Sequence, residues 1–260
     1  MNIGLLLTYN EIDIIDEMMA ANRGGVDAIL ALDGSDDGTY ERLRRYPEVA
    51  LVLRDEAVAG AGKVRDHHRQ ALLDAARERY GQGHWYTLMH ADEIFHDDPR
   101  AVTAAAERQG AQLVNWAVMQ FFLHPDDAGQ DESLPVQTRL RWYSPFWVEV
   151  RQFRDRPGAA YRNGEHGRVF PRGTGRRPYG RMPIVKHYPY RTEAQARQRL
   201  RVMADRGFAG SATAGEALRT RYEPRYRLAR RFDGDFRELE MARQGGLLAM
   251  WWRWKRWTRG

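Results

Sequence analysis

The chain predicts an α/β fold with a mostly parallel central sheet flanked by helices. Three observations lead there. Apolar runs of strand length alternate with stretches of helical spacing over residues 1–122. The runs are short and apolar on both sides, as expected where helices cover both faces of a sheet. Three of the runs end in polar clusters: Thr8-Tyr9-Asn10-Glu11, Asp33-Gly34-Ser35-Asp36-Asp37-Gly38-Thr39 and His90-Ala91-Asp92-Glu93. Alternating strands and helices form a parallel sheet, and ligands bind outside the carboxyl ends of its strands. One sheet edge should therefore collect all three clusters.

In order, residues 3–7 read as the first strand. A helix over 12–22 follows, with Ile15, Met18, Met19 and Asn22 on one face, only the last of them polar. Strands over 28–32 and 49–54 precede a long helix over 62–80, whose Val64, His68, Ala71, Leu72, Ala75 and Arg79 share a face. A strand over 85–89, a helix over 99–109 and a strand over 113–122 complete this half. Residues 184–190 read as a further strand, and Thr192-Glu193-Ala194-Gln195 has the capping-box pattern of a helix start. Residues 124–135 and 171–183, rich in Pro, Gly and polar residues, read as loops, and either could close over an anion.

With 260 residues the chain can bury a full core, as one large domain or one domain with an appendage. It has no cysteine, which excludes disulfides and thiolate metal sites and is compatible with a reducing compartment. Asn10, Glu11 and Asp13 interrupt the opening apolar run, so it reads as a strand rather than a leader. No run approaches the roughly 18 apolar residues of a membrane span. Of 41 basic residues only Lys63, Lys186 and Lys255 are lysines, against 35 acidic ones. Residues 139–259 are densely arginine-rich, which fits either a biased genome or a half that meets phosphates.

The motifs narrow the chemistry. The first strand is followed by Thr8-Tyr9-Asn10 with none of the glycines of a dinucleotide fold. Gly62-Lys63 lacks the first glycine and the Ser/Thr of a P-loop, having Ala57 and Val64 there. A phosphatase-like Asp-x-Asp at Asp33 fails at Ser35.

Together the segments 6–11, 32–39 and 89–95 resemble the family-two glycosyltransferases of the GT-A fold. Asp33-Gly34-Ser35-Asp36-Asp37-Gly38-Thr39 after an apolar strand is the most specific part, and His187-Tyr188-Pro189-Tyr190-Arg191 is a looser echo. The resemblance implies a nucleotide-sugar-binding half over 1–122, an acceptor-side and lid region over 123–192 and a C-terminal helical region over 193–260. It implies that Thr8, Tyr9, Asn10 and Glu11 line the nucleobase and ribose, with Ser35 and Ala91 beside the nucleotide. Asp33 would accept a hydrogen bond from the base; a carboxylate pairs with an imide N–H, which favours a uridine or thymidine donor. The bland alternative for residues 33–37 is a plain Asx turn opening a helix at Thr39. Lys63 and Arg65 would hold a phosphate at the start of the long helix, or serve only as ordinary helix charges.

Family members show Asp-x-Asp in the third cluster, holding Mg²⁺ or Mn²⁺ against the donor diphosphate. Here the positions are His90 and Asp92, and imidazole is the poorer ligand for a hard ion. His187 could compensate, with Arg191 close to a positive helix end, or His187 could be structural. Such enzymes are generally inverting, so a general base must take the acceptor's proton. Glu165, between glycines and beside His166, is the first candidate. Glu149 in Phe146-Trp147-Val148-Glu149 is the second, where aromatic neighbours would raise its pKa and stack on a sugar.

Residues 247–257 place Leu247, Met250, Trp251, Trp254 and Trp257 on an arc of about 120° with Arg253, Lys255 and Arg256 opposite. That suits a helix in an anionic membrane interface, or one packed on the domain or a second subunit. The expectation is a cytoplasmic enzyme, peripheral on a membrane's inner face, with a glycan or lipid-linked acceptor. The alternative is a catalytically silent protein of the same fold that binds a nucleotide or glycan. No nucleic-acid recognition motif accompanies the basic charge, so no nucleic-acid partner is expected.

Overall fold

The computed structural model describes residues 1–54, 66–127, 129–161, 170–205, 229–234 and 236. In chain order the elements are β1 (Asn2–Thr8), α1 (Ile15–Ala21), β2 (Ala28–Asp33), α2 (Thr39–Leu43) and β3 (Val49–Arg54). Next come α3 (Asp66–Tyr80), β4 (Trp85–His90), β5 (Glu93–Phe95), α4 (Pro99–Arg108) and β6 (Leu113–Phe122). The described chain ends with α5 (Val136–Arg139), β7 (Trp142–Arg154), β8 (Ile184–His187), α6 (Glu193–Asp205) and β9 (Arg230–Arg231). This is the expected α/β class, a central sheet with helices on both faces.

The strands lie in the order β3-β2-β1-β4-β7-β6-β8-β5, with β9 beside β7. The half from β3 to β4 is parallel throughout. Strand β7 runs antiparallel between β4 and β6, and β8 is parallel to β6. Side chains alternate between the sheet's faces. Leu6, Ile29, Ala31, Trp85 and Met89 pack with Ile15, Met18, Met19, Leu43 and Ala106 of α1, α2 and α4. Ile3, Leu5, Leu30, Leu32, Tyr86 and Leu88 pack with Leu72, Leu73 and Ala76 of α3. Each such side chain taken wholly from water contributes about 1.5–3 kcal/mol. Gly4 is small because Met89 occupies the space above it: an added Cβ would lie 2.6 Å from Met89 Sδ.

Local signals explain the helix ends. Asp98 caps α4 by accepting from the Arg100 N–H at 2.9 Å, with Pro99 in the first helical position. Asn22, the polar residue on the face of α1, follows its last turn. Its side chain donates to the Glu93 carbonyl and accepts from the Phe95 N–H, docking α1 against β5. The inward face of α3 is turned from the expected one: His68, Leu72, Leu73 and Ala76 are buried, whereas Ala71 and Arg79 are exposed. Among the described residues no helix is long and apolar enough to cross a membrane.

Candidate functional site

Register brings the three polar clusters together. In the parallel pairing Thr8 lies opposite Asp33, and Leu7 lies opposite His90. Strand β1 is the middle one, so the loops after β1, β2 and β4 leave the same edge about 4.8 Å apart.

The first two loops are tied through Asp33. Its carboxylate is buried and accepts from Thr8 Oγ1 at 2.6 Å, Ser35 Oγ at 2.6 Å and the Ser35 N–H at 3.0 Å. Ser35 Oγ in turn accepts from the Asn10 N–H at 2.8 Å. Asn10 adopts φ 55°, a left-handed conformation that asparagine tolerates. Its amide donates to Asp36 Oδ1 and accepts from the Asp36 N–H. Thr39 Oγ1 accepts from the Glu11 N–H, and Asp37 accepts from the Ile12 N–H. Two of the expected nucleotide contacts, Thr8 and Asp33, are engaged first with each other and with Ser35. Thr8 points inward and spends its hydroxyl on Asp33. Asp33 already holds three protein donors, so its first duty is to set the loops, with Tyr9 and Asn10 left partly exposed above.

A charged knot joins the loops after β1 and β4 to α6. Arg191, 1 % exposed, donates through Nη2 to Glu11 at 2.6 Å and Asp13 at 2.7 Å, through Nε to Asp13 and through Nη1 to the Tyr188 carbonyl. Four hydrogen bonds and near-complete burial make it an internal tie of this edge. Arg199 Nη1 lies 2.9 Å from Asp92 Oδ2 and 3.3 Å from Glu11 Oε1. His187 Nε2 lies 3.2 Å from the same Asp92 oxygen. The capping box forms at the start of α6: Thr192 Oγ1 accepts from the Gln195 N–H, and Gln195 Oε1 accepts from the Arg191 N–H.

The acids that share Arg199 differ in character. Burial pushes Glu11 up to about 7 against the pull of Arg191. Burial also opposes charge on Asp92, but His187 and Arg199 outweigh it and hold the carboxyl well below its usual range.

A second knot surrounds β7. Arg151, fully buried, binds Glu93 of β5 and lies 2.9 Å from Glu149 Oε2. Glu149 also accepts from Trp147 Nε1 at 3.0 Å, and the Trp147 ring meets His187 edge-on at 5.3 Å between centroids. His90 Nδ1 faces Glu93 Oε1 at 3.4 Å and Arg151 Nη1 at 3.5 Å. Burial opposes charge on Glu93, yet Arg151 and His90 hold its carboxyl below the usual value. Glu149 and Asp92 are thus linked through Trp147 and His187.

Asn10, Glu11, Asp33, Ser35, His90, Asp92, Glu149, His187 and Arg191 all belong to this edge. The Ala91 side chain is core, packed beneath it, so only its backbone could meet a nucleotide. Lys63, Arg65, Glu165 and residues 247–257 lie outside the described residues. Sequence reasoning gave no role in the site to Asp13, Glu93, Arg151 or Arg199. Arg199 had a signal: it falls two turns after the capping box, beside the apolar positions Ala196 and Leu200 that bury α6.

The metal expectation meets a misfit. Among the described residues no three His, Asp or Glu side chains come together as a cation cage. Asp92 and His187 are adjacent, but the Asp92 oxygen between them already carries a guanidinium. His90, in the other expected ligand position, is turned toward Glu93 and Arg151.

Beyond the end of β6 lies a hollow lined by Asp126, Asp127, Thr138, Arg141, Trp142 and Arg231. The chain matches no protein-family model and no curated protein. Among solved structures it is similar to a chain described as a glucose-1-phosphate thymidylyltransferase of Bacillus anthracis in complex with sucrose. That similarity has 12% identity and a TM-score of 0.31 over 58% of this chain and 65% of the other.

Proposed function

We propose that the chain is an inverting glycosyltransferase, moving a sugar from a uridine or thymidine diphosphate donor to a hydroxyl of a glycan or lipid-linked acceptor. The observation that carries this is the continuous set of bonds joining the loops after β1, β2 and β4 at one sheet edge. Asp33 and Ser35 link the first two loops, and Arg199 links the first to the third. Such an edge is where α/β sheets seat nucleotides.

In this reading Tyr9 and Asn10 rim the nucleoside, and Lys63 and Arg65 face the phosphates. The acceptor oxygen attacks the anomeric carbon as the bond from that carbon to the diphosphate oxygen breaks. The diphosphate leaves with the electron pair, and a carboxylate takes the acceptor proton. Glu149 suits that role by place: it is a half-buried carboxylate on β7, one aromatic ring from His187 and Asp92. Glu165 remains the other candidate. The acceptor would come over β7, which carries Glu149. A bound Mg²⁺ or Mn²⁺ would supply charge neutralisation at Asp92 and His187, but the guanidinium of Arg199 already occupies the Asp92 oxygen. Residues 247–257 would hold a cytoplasmic enzyme against an anionic membrane face.

The second reading, a silent binding protein of the same fold, draws on one observation: Asp92 is already neutralised by Arg199. Release of nucleoside diphosphate from a panel of nucleotide sugars, measured with and without acceptor, separates the two. Turnover with at least one uridine or thymidine donor is expected. Binding of UDP without turnover on any donor would favour the silent protein, and neither binding nor turnover would overturn both.

A further inference from the structure

We infer that the donor site is built to work without a divalent cation, Arg199 supplying the positive charge that a metal would bring to the diphosphate. The inference rests on the donor site proposed above and concerns how that site handles charge. A hard divalent ion needs several oxygen ligands, normally including one or two carboxylates free to face it. Asp92 is the one acid that the third cluster turns toward His187. Its Oδ2 carries Arg199 Nη1 at 2.9 Å and His187 Nε2 at 3.2 Å. A cation bound there would have to expel the guanidinium or sit against it, like charge on like.

The other half of the expected ligand pair points elsewhere. His90 Nδ1 faces Glu93 and Arg151, a guanidinium fully buried in the sheet. Positive charge therefore already sits beside both positions.

Arg199 is suited to the replacement. It contacts Asp92 and Glu11 through Nη1, while its side chain remains 31% exposed. A planar guanidinium can hold acids on one edge and present its other N–H groups to phosphate oxygens, a fork that a lysine ammonium does not reproduce. Arg191 holds Glu11 from the buried side, so Glu11 does not depend on Arg199 alone.

The test is calorimetric titration of the full chain with UDP and with dTDP, in EDTA and in millimolar Mn²⁺, joined to the free-Mn²⁺ electron paramagnetic resonance signal. For the wild type, nucleotide affinity should agree within about three-fold between the two conditions, and free Mn²⁺ should stay free. Arg199→Met should weaken nucleotide binding by at least about ten-fold in EDTA, with Arg199→Lys recovering part of the loss. Relieved of its cation, Asp92 beside Glu11 in Arg199→Met should begin to bind Mn²⁺, so the free signal should drop.

Mn²⁺ tightening wild-type binding by ten-fold or more would overturn the inference and leave the donor site standing. So would undiminished binding by Arg199→Met. Should that variant not fold, the wild-type comparison and Arg199→Lys still decide. Failure of UDP and dTDP to bind under either condition would instead remove the donor site, and this inference with it.

Discussion

Arg191→Met tests the knot that holds the edge together. Methionine keeps much of the volume and none of the charge. The arginine is 1 % exposed and donates four hydrogen bonds, to Glu11, Asp13 twice and the Tyr188 carbonyl. Asp13 has 39% of its side chain exposed and can turn to water, so its share of the loss is small. Glu11 is 11% exposed and keeps only Arg199 at 3.3 Å. Removing one partner of a buried ion pair costs about 3–5 kcal/mol, and with Asp13 discounted we expect about 3 kcal/mol. At this chain length that lowers Tm by about 6–12 °C.

The pH dependence fixes the cause. Burial raises the folded pKa of Glu11 to about 7, and Arg191 is the chief influence holding it from going higher. A carboxyl raised in the folded state stabilises when protonated, and that contribution fades as pH rises through the folded value. At pH 5 the variant leaves a neutral acid; at pH 8 it must either bury an anion without its chief cation or take up a proton, and both cost stability. Urea unfolding followed by circular dichroism should therefore show a larger deficit at pH 8 than at pH 5. Adding Glu11→Gln should restore at least about 1.5 kcal/mol at pH 8. A loss under about 1 kcal/mol, or a deficit flat across that interval, would refute the idea that Arg191 exists to compensate Glu11.

Three other outcomes are expected. Asp33→Asn places an amide N–H₂ among three donors and should cost about 1–3 kcal/mol by urea unfolding. The same variant should weaken UDP binding in calorimetry, and unchanged affinity would detach the loop knot from the nucleotide. Glu149→Gln should lower kcat by about 10²–10⁴ with UDP affinity unchanged; a full kcat would hand the base role to Glu165, whose glutamine variant is the next measurement. Removal of residues 246–260 should abolish co-sedimentation with anionic vesicles while sparing transfer to a soluble acceptor, and loss of folding would mean that the tryptophans pack on protein.

The parallel half was readable because period and composition agree there. Residues 3–7, 28–32, 49–54 and 85–89 fall inside β1 to β4, and each structural strand ends within a residue or so of the expected limit. In the sheet's other half residues 113–122 were readable as β6 and 184–190 contain β8, but β7 and β5 were not foreseen. Strand β7 contains Pro145, which cannot donate to a ladder and so argues against a central strand. The structure admits it at an irregularity, where the register against β6 shifts between Val118 and Met119. Strand β5 has three residues, too few to show alternation, and it exists because β8 pairs with it. The misjudged face of α3 has a plain cause as well. Leu73 and Ala76 belong inward with Leu72, and a stripe drawn through Ala71 and Arg79 is about one position out of phase.

The candidate site divides in the same way. Asp33 and Asp92 were visible because they sit at strand ends, where position alone marks them. Of the site's cations Arg191 was marked by the family resemblance, but Arg151 and Arg199 were hidden, because a buried arginine and a solvated one look alike in a sequence with 38 of them. The structure separates them by partner. Arg151 and Arg191, from the arginine-rich half, are buried against Glu93, Glu11 and Asp13, acids brought by the N-terminal half. Arg199 joins them on Asp92 from a more open position. A buried carboxylate is tolerated only with such compensation. The edge therefore needs both halves of the chain before its acids can exist there as anions. Part of the arginine excess thus has a structural reason, apart from any genome bias: the second half carries the counter-charges for the loops that the first half brings together.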